Sequence, residues 1–286
     1  VDSELRLRVL GCAGGYPYGG TACSGYLAAM GGNGVLFDCG PGVAMKLLGR
    51  MRAIDLEAIV ISHLHPDHML DLIPLAYAAM TEWIVRDSVR RVPVFLPKGG
   101  AAFIGRLADL FGHRHWRFDG NEPGHGLSRL RQTAAEGRDW VFEVFDVCEF
   151  AAGDTFSAGS LRIDTCAARH TPEAACLATG PANARLVYTG DTMPFEGLPE
   201  FCRRADVLLC EAHFSGAHPP GGAHMTPSEA GALAAAAEVR LLLLTHLAAA
   251  EDGPASVAAA KAVFGGPVRL ALDSVSTEDA ITVGRP

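Results

Sequence analysis

The chain has 286 residues, 49% hydrophobic and 20% charged, enough to bury a substantial core in one large α/β domain or two small ones. A formal net charge of −8 speaks against a broad basic surface for a long nucleic acid, and no apolar run approaches the length that crosses a bilayer. The eight cysteines (Cys12, Cys23, Cys39, Cys148, Cys166, Cys176, Cys202 and Cys210) are scattered without a CxxC pair, which suggests reduced, partly buried thiols and a cytoplasmic location.

In chain order, the opening VDSELRLRVLGC alternates polar and apolar residues, so Leu5–Leu10 reads as a half-buried strand and not as a signal peptide. A Gly-rich loop, GCAGGYPYGGTACSG, leads to short strands at Tyr26–Ala29 and Val35–Asp38, then the turn DCGPG and a helix near Val43–Arg50. Ala58–Ser62 is a compact apolar strand, Met69–Trp83 a helix, Val92–Leu96 a strand and Ala101–Phe111 a helix. Arg90-Arg91 and Arg203-Arg204 read as solvated faces. The stretch at about 112–138 is polar and irregular, and suggests a lid or inserted arm. Within it His113, Arg114, His115, Trp116 and Arg117 offer guanidinium groups for phosphate and an indole for stacking, or else form a surface excursion or subunit contact. Strands resume at Trp140–Asp146, Leu161–Thr165, Ala175–Ala178, Arg185–Tyr188 and Val207–Cys210. Thr226 caps a helix over Pro227–Ala237, with proline at its first position. A strand at Arg240–Thr245, a helix at Ser256–Phe264 and a strand at Val268–Leu272 complete the pattern. Sheets covered by helices, with no dividing linker, point to one domain over residues 1–286.

The densest chemistry lies in His63-Leu64-His65-Pro66-Asp67-His68, directly after an apolar strand. Residues two apart in an extended segment face the same way, so His63 and His65 converge on one point, while Asp67 and His68 after the Pro66 bend reach a neighbouring one. Neutral imidazole and carboxylate suit zinc, iron or manganese. Two histidines would ordinarily be a solvated loop; three with an aspartate at a strand end favour a metal site.

This stretch resembles the HxHxDH signature of the metallo-β-lactamase superfamily, whose fold is a four-layered αββα sandwich with metals at the ends of the inner strands. Further motifs extend the resemblance over essentially the whole chain. CAARHTPEAACLATG supplies His170, LVYTGDTMP supplies Asp191 and LLLLTHL ends in His246, while VLGCAGGYP and VLFDCGPG look like the family's first strands and Asp-Cys-Gly turn. Taken singly, His170 reads as a surface residue, the Thr-Gly-Asp-Thr segment as a turn and His246 as a core histidine; their order carries the likeness. The resemblance implies two divalent metal ions, zinc first, with manganese or iron as alternatives. His63, His65 and His170 would hold one, Asp67, His68 and His246 the second, with Asp191 shared. It also implies hydrolysis by a metal-activated hydroxide that Asp67 helps orient.

Two more elements resemble the ribonuclease Z and phosphodiesterase branch: Glu211 in LLCEAHF, and His224 in GAHMTPSEAG. There the histidine sits beside the metals, positioned by the glutamate, to stabilise the transition state or protonate the leaving oxygen. The plain alternatives are a helix-capping loop histidine and a solvated glutamate. Two departures bear on substrate. The stretch from Thr171 to Gly190 is too short for the arm with which bacterial ribonuclease Z grips tRNA, which favours a small phosphodiester. Ala175 and Cys176 stand where relatives usually have an aromatic beside the substrate base. The expectation is therefore a phosphodiesterase for a small nucleotide-like substrate such as a cyclic nucleotide. Hydrolysis of a carboxylic ester, thioester or lactone is the first alternative, and a non-hydrolytic metal-binding role in a biosynthetic pathway the second. Relatives often dimerise, so a homodimer is the partner expectation.

Overall fold

The computed structural model describes residues 4–86, 89–111, 125–136, 142–171, 173–216, 218, 222–249, 252–271 and 280–284. The first half runs β1 (Leu5–Ala13), β2 (Ala22–Cys23), β3 (Gly25–Met30), β4 (Val35–Phe37), α1 (Val43–Leu48), β5 (Ala58–Val60), α2 (Pro66–Met69), α3 (Leu72–Arg86), β6 (Val92–Pro97), α4 (Gly100–Phe111), α5 (His125–Ala135) and β7 (Phe145–Phe150). The second runs β8 (Thr155–Ala158), β9 (Leu161–Ala167), β10 (Ala175–Thr179), β11 (Leu186–Tyr188), α6 (Leu198–Phe201), β12 (Val207–Glu211), α7 (Pro227–Ala236), β13 (Leu242–Thr245), α8 (Gly253–Phe264), β14 (Val268–Leu270) and β15 (Ile281–Val283).

Two mixed sheets result, ordered β15-β1-β3-β4-β5-β6-β7, with β2 beside β1, and β14-β13-β12-β11-β10-β9-β8. Each is antiparallel where strands follow by hairpin (β1–β3–β4; β8–β9–β10–β11) and parallel where helices intervene (β4 to β7; β11 to β14). A hairpin reverses direction cheaply, whereas a parallel neighbour needs a crossover long enough for a helix.

The strand sequences explain the layering. β5, β10, β12 and β13 are apolar at almost every position because both faces are covered. Leu177, Leu209 and Leu243 point between the sheets, with Leu7, Val9, Tyr26, Phe37 and Val60 of the other sheet opposite them. Ile59 and Ile61 face the other way, into a core with α1, α3, α4 and α5. Leu208, Leu242 and Leu244 pack outward against α6, α7 and α8. Helix, sheet, sheet, helix is the expected four-layered αββα arrangement. All eight cysteines are free; Cys12 and Cys39 are buried, as expected. Among the described residues no helix is long and apolar enough to cross a membrane.

Several boundaries differ from the sequence-based expectation for local reasons. The helix expected at Met69–Trp83 is two, α2 and α3. They break at Leu70–Asp71, where Asp71 turns to accept from the Ala44 N–H (2.8 Å) and its own N–H donates to Cys39 O (2.9 Å). Pro74 is harmless in the first turn of α3, whose N–H groups need no intrahelical acceptor. The last inner strand opens at Leu242; before it, the Arg240 N–H donates to Ala205 O (2.9 Å) and the Arg240 side chain to Asp206 (2.9 Å). The strand expected at Trp140–Asp146 begins at Phe145, and Trp140 lies outside the described residues. The region at 112–138 is in part helical: α5 buries Leu130 and Thr133, three residues apart on one face, against α3. A single buried leucine among polar residues leaves little periodic signal. The proposed lid residues His113 to Arg117 lie outside the described residues. Arg203 and Arg204 make exposed pairs with Glu200 and Glu238, but Arg90 and Arg91 are not merely solvated. Arg90 donates to the carbonyls of Ile54 and Leu56, and Arg91 shares Glu143 with Arg129.

Glu57 ties the halves of the sandwich together, accepting from Gly34 N (3.2 Å) and Ser160 N (2.7 Å). Burial pulls its carboxyl up, but the donors of Ser160, Gly34 and Asn33 outweigh that and leave it below the ordinary value. The carboxylate therefore adds stability above its unfolded pKa of about 4.3 and loses it as pH falls through the lower folded value. Glu57→Gln should cost about 1 kcal/mol at pH 7, allowing for partial exposure. The difference from the parent should vanish in urea melts at acid pH; a pH-independent difference would contradict this.

Candidate metal centre

The strands β9, β11, β12 and β13 run in one direction, and their C-terminal ends open on the same side as that of β5. Each site residue leaves from one of these ends: His63 and His65 after β5, His170 after β9, Asp191 after β11, Glu211 at the end of β12 and His246 after β13. Asp67 and His68 sit on α2, started by Pro66 with His65 as N-cap. All seven metal-ligand candidates come together. The ligand atoms of His63, His65, His170 and Asp191 lie within 4.8 Å of one another, as do those of Asp67, His68, Asp191 and His246.

Asp191 Oδ2 belongs to both groups. It lies 3.7 Å from His63 Nε2 and 3.9 Å from His170 Nε2 on one side, and 3.2 Å from His68 Nε2 and 3.3 Å from His246 Nε2 on the other. His65 Nδ1 faces His170 Nε2 at 3.0 Å, and Asp67 Oδ2 lies 3.1 Å from His246 Nε2. Two groups of potential ligand atoms thus share one carboxylate oxygen, an arrangement that suits metal binding.

The polar accounting fits metal ions. His63 Nε2 and Asp191 Oδ1 are buried without a hydrogen-bond partner, a cost that coordination removes. Burial and the neighbouring His68 push His63 well down, and burial with His170 lowers His65, which favours the neutral form that a metal ligand needs. Burial also lowers His170. Burial would raise Asp67 and Asp191, but His246 and His68 outweigh it, and both carboxylates are held far below their usual range. Asp191 and Asp38 lift His68, and Asp191 and Asp67 lift His246, in each case against burial. A buried pocket this rich in carboxylate calls for positive charge.

A residue to which the sequence assigned no role organises the site. Asp38, fully buried, accepts from Ser62 N (2.7 Å), Ser62 Oγ (2.8 Å), His68 Nδ1–H (2.7 Å) and Tyr188 O–H (2.7 Å). This leaves His68 Nε2 facing the centre. A carboxylate ending an apolar strand, in VLFDCG, was the available signal. Asp38 and His246 also share positive φ (57° and 55°), unusual for residues with side chains and a strain that clusters at functional sites. Asp38→Ala would strand four buried donors. It should cost on the order of 3–5 kcal/mol in denaturant melts and weaken metal binding by about 10–100-fold. Unchanged metal affinity would refute that assignment.

Glu211 and His224 meet beside the metal positions. Glu211, fully buried, accepts from Thr192 N (2.5 Å) and lies 3.1 Å from His224 Nδ1, which is itself 3.7 Å from Asp191. Burial and the Asp191 charge push Glu211 up, and burial pushes His224 down. The loop carrying His224 is tied at its end. Thr226 and Glu229 form a reciprocal capping box on α7, and Glu229 also pairs with His218 (2.8 Å). His213 was missed: its ring stacks on His224 (4.5 Å, 27°) and lies 5.2 Å from His246, with its pKa pushed down to about 4 by burial and the two neighbouring imidazoles. Its place two residues after Glu211 in CEAHF was the only sequence signal. Ala175 and Cys176 are buried strand residues and offer nothing to the opening.

Two family models match the chain: "Metallo-beta-lactamase superfamily" over residues 18–141 and "Beta-lactamase superfamily domain" over residues 125–247. The chain belongs to the metallo-β-lactamase superfamily. Among relatives, the protein Rv1339 of Mycobacterium tuberculosis is 33% identical over 276 residues, covering 94% of this chain and 90% of its own. The probable metallo-hydrolase YhfI of Bacillus subtilis is 28% identical over 93% of this chain and 97% of its own. The crystal structure of YhfI superposes with a TM-score of 0.74 over 99% of this chain and 98% of that one, at 25% identity. A ribonuclease Z of Haloferax volcanii is 25% identical, covering 96% and 95%. The superfamily and the His/Asp cluster together make this a metal-dependent hydrolase.

Proposed function

We propose that the chain is a phosphodiesterase for a small nucleotide-like phosphodiester such as a cyclic nucleotide. The Glu211–His224 pair carries this reading. An imidazole anchored at Nδ1 by a buried carboxylate, alongside the shared Asp191, keeps Nε2 for the substrate. Cleaving a phosphodiester expels an alkoxide that needs a proton; His224, taking one up from solvent at Nε2 while Glu211 accepts from its Nδ1–H and Asp191 offsets part of the effect of burial, is placed to deliver that proton. The ribonuclease Z relatives, by their name, also cleave phosphodiesters. The direct β10–β11 hairpin between His170 and Asp191 and the net charge of −8 favour a small substrate over tRNA.

His63, His65, His170 and Asp191 would hold one divalent ion, and Asp67, His68, His246 and Asp191 a second; imidazole and carboxylate suit zinc first, then manganese or iron. Ions bound there supply Lewis acidity and a source of hydroxide at neutral pH. Asp67, fixed through Oδ2 by the Gly15 N–H (2.8 Å), orients the attacking oxygen.

The deciding experiment is hydrolysis of cyclic AMP by metal-loaded protein, with Asp67→Ala purified identically. Turnover present in the parent and lost in the variant supports the reading. A parent that holds two metals by elemental analysis yet cleaves only thioester, ester or lactone substrates would overturn it.

A further inference from the structure

Half of the eight cysteines gather on the outer face of the second sheet. Cys176 on β10, Cys210 on β12 and Cys202 at the end of α6 are buried in the core beneath α6, α7 and α8, and Cys166 on β9 packs against them half-buried. Cys166 and Cys176 are direct partners in the antiparallel β9–β10 ladder, so their side chains leave the sheet together on that face. The Cys176 thiol donates to the Cys166 sulfur, which lowers Cys166 from the ordinary thiol value against its partial burial, whereas Cys176 is held well up. No shared ion accounts for the pair: among the described residues, no group of side chains close enough to hold a metal includes a cysteine. Cys148, also half-buried, stands opposite Phe95, and the remaining cysteines are buried.

The ladder sets the distance between the two sulfurs' strands. The Ala168 N–H donates to Ala174 O (2.8 Å), and hydrogen-bonded pairs alternate along an antiparallel ladder, so the Cys166–Cys176 pair two residues back is also a hydrogen-bonded one. Such a pair holds its Cα atoms about 5.5 Å apart, inside the range that a disulfide spans. Its Cβ atoms stand toward the wide end of about 4.5–5.5 Å, whereas a disulfide prefers about 3.8 Å, so closing the bond draws the two strands together locally. A bond made against such a pull is readily reduced, as regulatory disulfides are. The pull falls at a sensitive place. β9 ends one residue after Cys166, and the chain beyond it carries His170, whose Nε2 faces His65 Nδ1 at 3.0 Å. The Arg169 N–H donates to Thr192 Oγ1 (2.8 Å) beside Asp191, and the Ala175 N–H to Ser62 O (3.0 Å) beside His63.

We propose that Cys166 and Cys176 form a thiol-oxidation site, where hydrogen peroxide makes a reversible cross-strand disulfide that displaces the His170 loop and weakens metal binding. Cys166, the sulfur within reach of solvent, attacks as the thiolate. The O–O bond breaks, Cys166 becomes a sulfenic acid, and the hydroxide released takes up the thiol proton as water. The Cys176 sulfur then attacks the Cys166 sulfur, the S–O bond breaks, and the departing hydroxide leaves as water with the Cys176 proton. Two thiols thus give up two electrons and two protons, and one peroxide becomes two waters. Metal–ligand distances tolerate changes of only about 0.2 Å, so a shift of the His170 loop is felt at the His63–His65–His170 group. The device acts on the metal centre whatever substrate that centre serves, and so stands apart from the phosphodiesterase reading.

The test treats metal-loaded protein with hydrogen peroxide and reads it by non-reducing peptide mass spectrometry and by chelator competition for the metal. The parent should yield peptides joined through Cys166 and Cys176, separated again by dithiothreitol. Its metal affinity should fall roughly tenfold and recover on reduction, the low end of what disturbing a ligand's support costs. Cys166→Ser and Cys176→Ala should form no such link and keep their affinity in peroxide, and Cys148→Ser should behave as the parent does. Sulfinic acid at Cys166 without the link, or oxidation confined to other cysteines, would overturn the site. The link formed with metal affinity unchanged would overturn its coupling to the centre.

Discussion

Asp191→Ala should empty both metal positions at once and reduce turnover by more than about a hundredfold, the upper end of what removing an outer partner of a ligand costs. Its Oδ2 lies within 4 Å of ring nitrogens from both ligand groups. Removing an outlying ligand such as His65, on the more open edge, should by contrast leave the second group intact. Elemental analysis reads the stoichiometry directly, and thermal melting reads it a second way. A ligand that binds only the native state at about 100 times its Kd adds about 2.7 kcal/mol, so adding metal should raise the parent Tm and leave that of Asp191→Ala unmoved. Two ions retained by the variant, with turnover unchanged, would remove the dinuclear centre from the mechanism.

His224→Ala should have the opposite signature: turnover lower by about 10²–10⁴-fold, the usual contribution of a positioned acid, with metal content and metal-dependent Tm preserved. Glu211→Gln should fall between that variant and the parent, because the amide still reaches His224 Nδ1 but no longer stabilises the imidazolium. The loss in His224→Ala should also shrink for a diester with a strongly acidic leaving group such as p-nitrophenol, which departs without a proton. Loss of metal from His224→Ala would reassign the residue as a ligand, since its Nδ1 lies only 3.7 Å from Asp191.

What was legible beforehand was whatever has a short-range signature. The histidine loop could be read because three imidazoles and a carboxylate within six residues after an apolar strand rarely gather except to bind metal. The Thr226–Pro227 helix start was legible from capping chemistry, and it carries the reciprocal Thr226–Glu229 bonds. The inner strands were legible as uninterrupted apolar runs, because a strand covered on both faces has no polar side to show. Elements with weak periodicity were not: β8 and β15 are short edge strands, and α5 buries its Leu130 within an otherwise polar segment.

Residues that act through others were also hidden. Asp38 lies 30 positions from His68, and His213 lies 33 from His246, so only the packing of two sheets makes them neighbours. The break between α2 and α3 belongs to the same class, because the partners of Asp71, at Cys39 and Ala44, come from the preceding helix and turn.

The succession of strands and helices and the ligands of the histidine loop are written in the order of the amino acids, since they follow from local pattern and side-chain chemistry, whereas the four layers and the outlying ligands were expected from the resemblance to the superfamily. Folding in three dimensions was needed to bring Asp191 Oδ2 before both ligand groups, to let Asp38 set the orientation of His68, and to set the Gly15 N–H against Asp67. Those arrangements depend on how far apart folded segments lie, and a distance across two sheets is set by packing that no short window of residues contains.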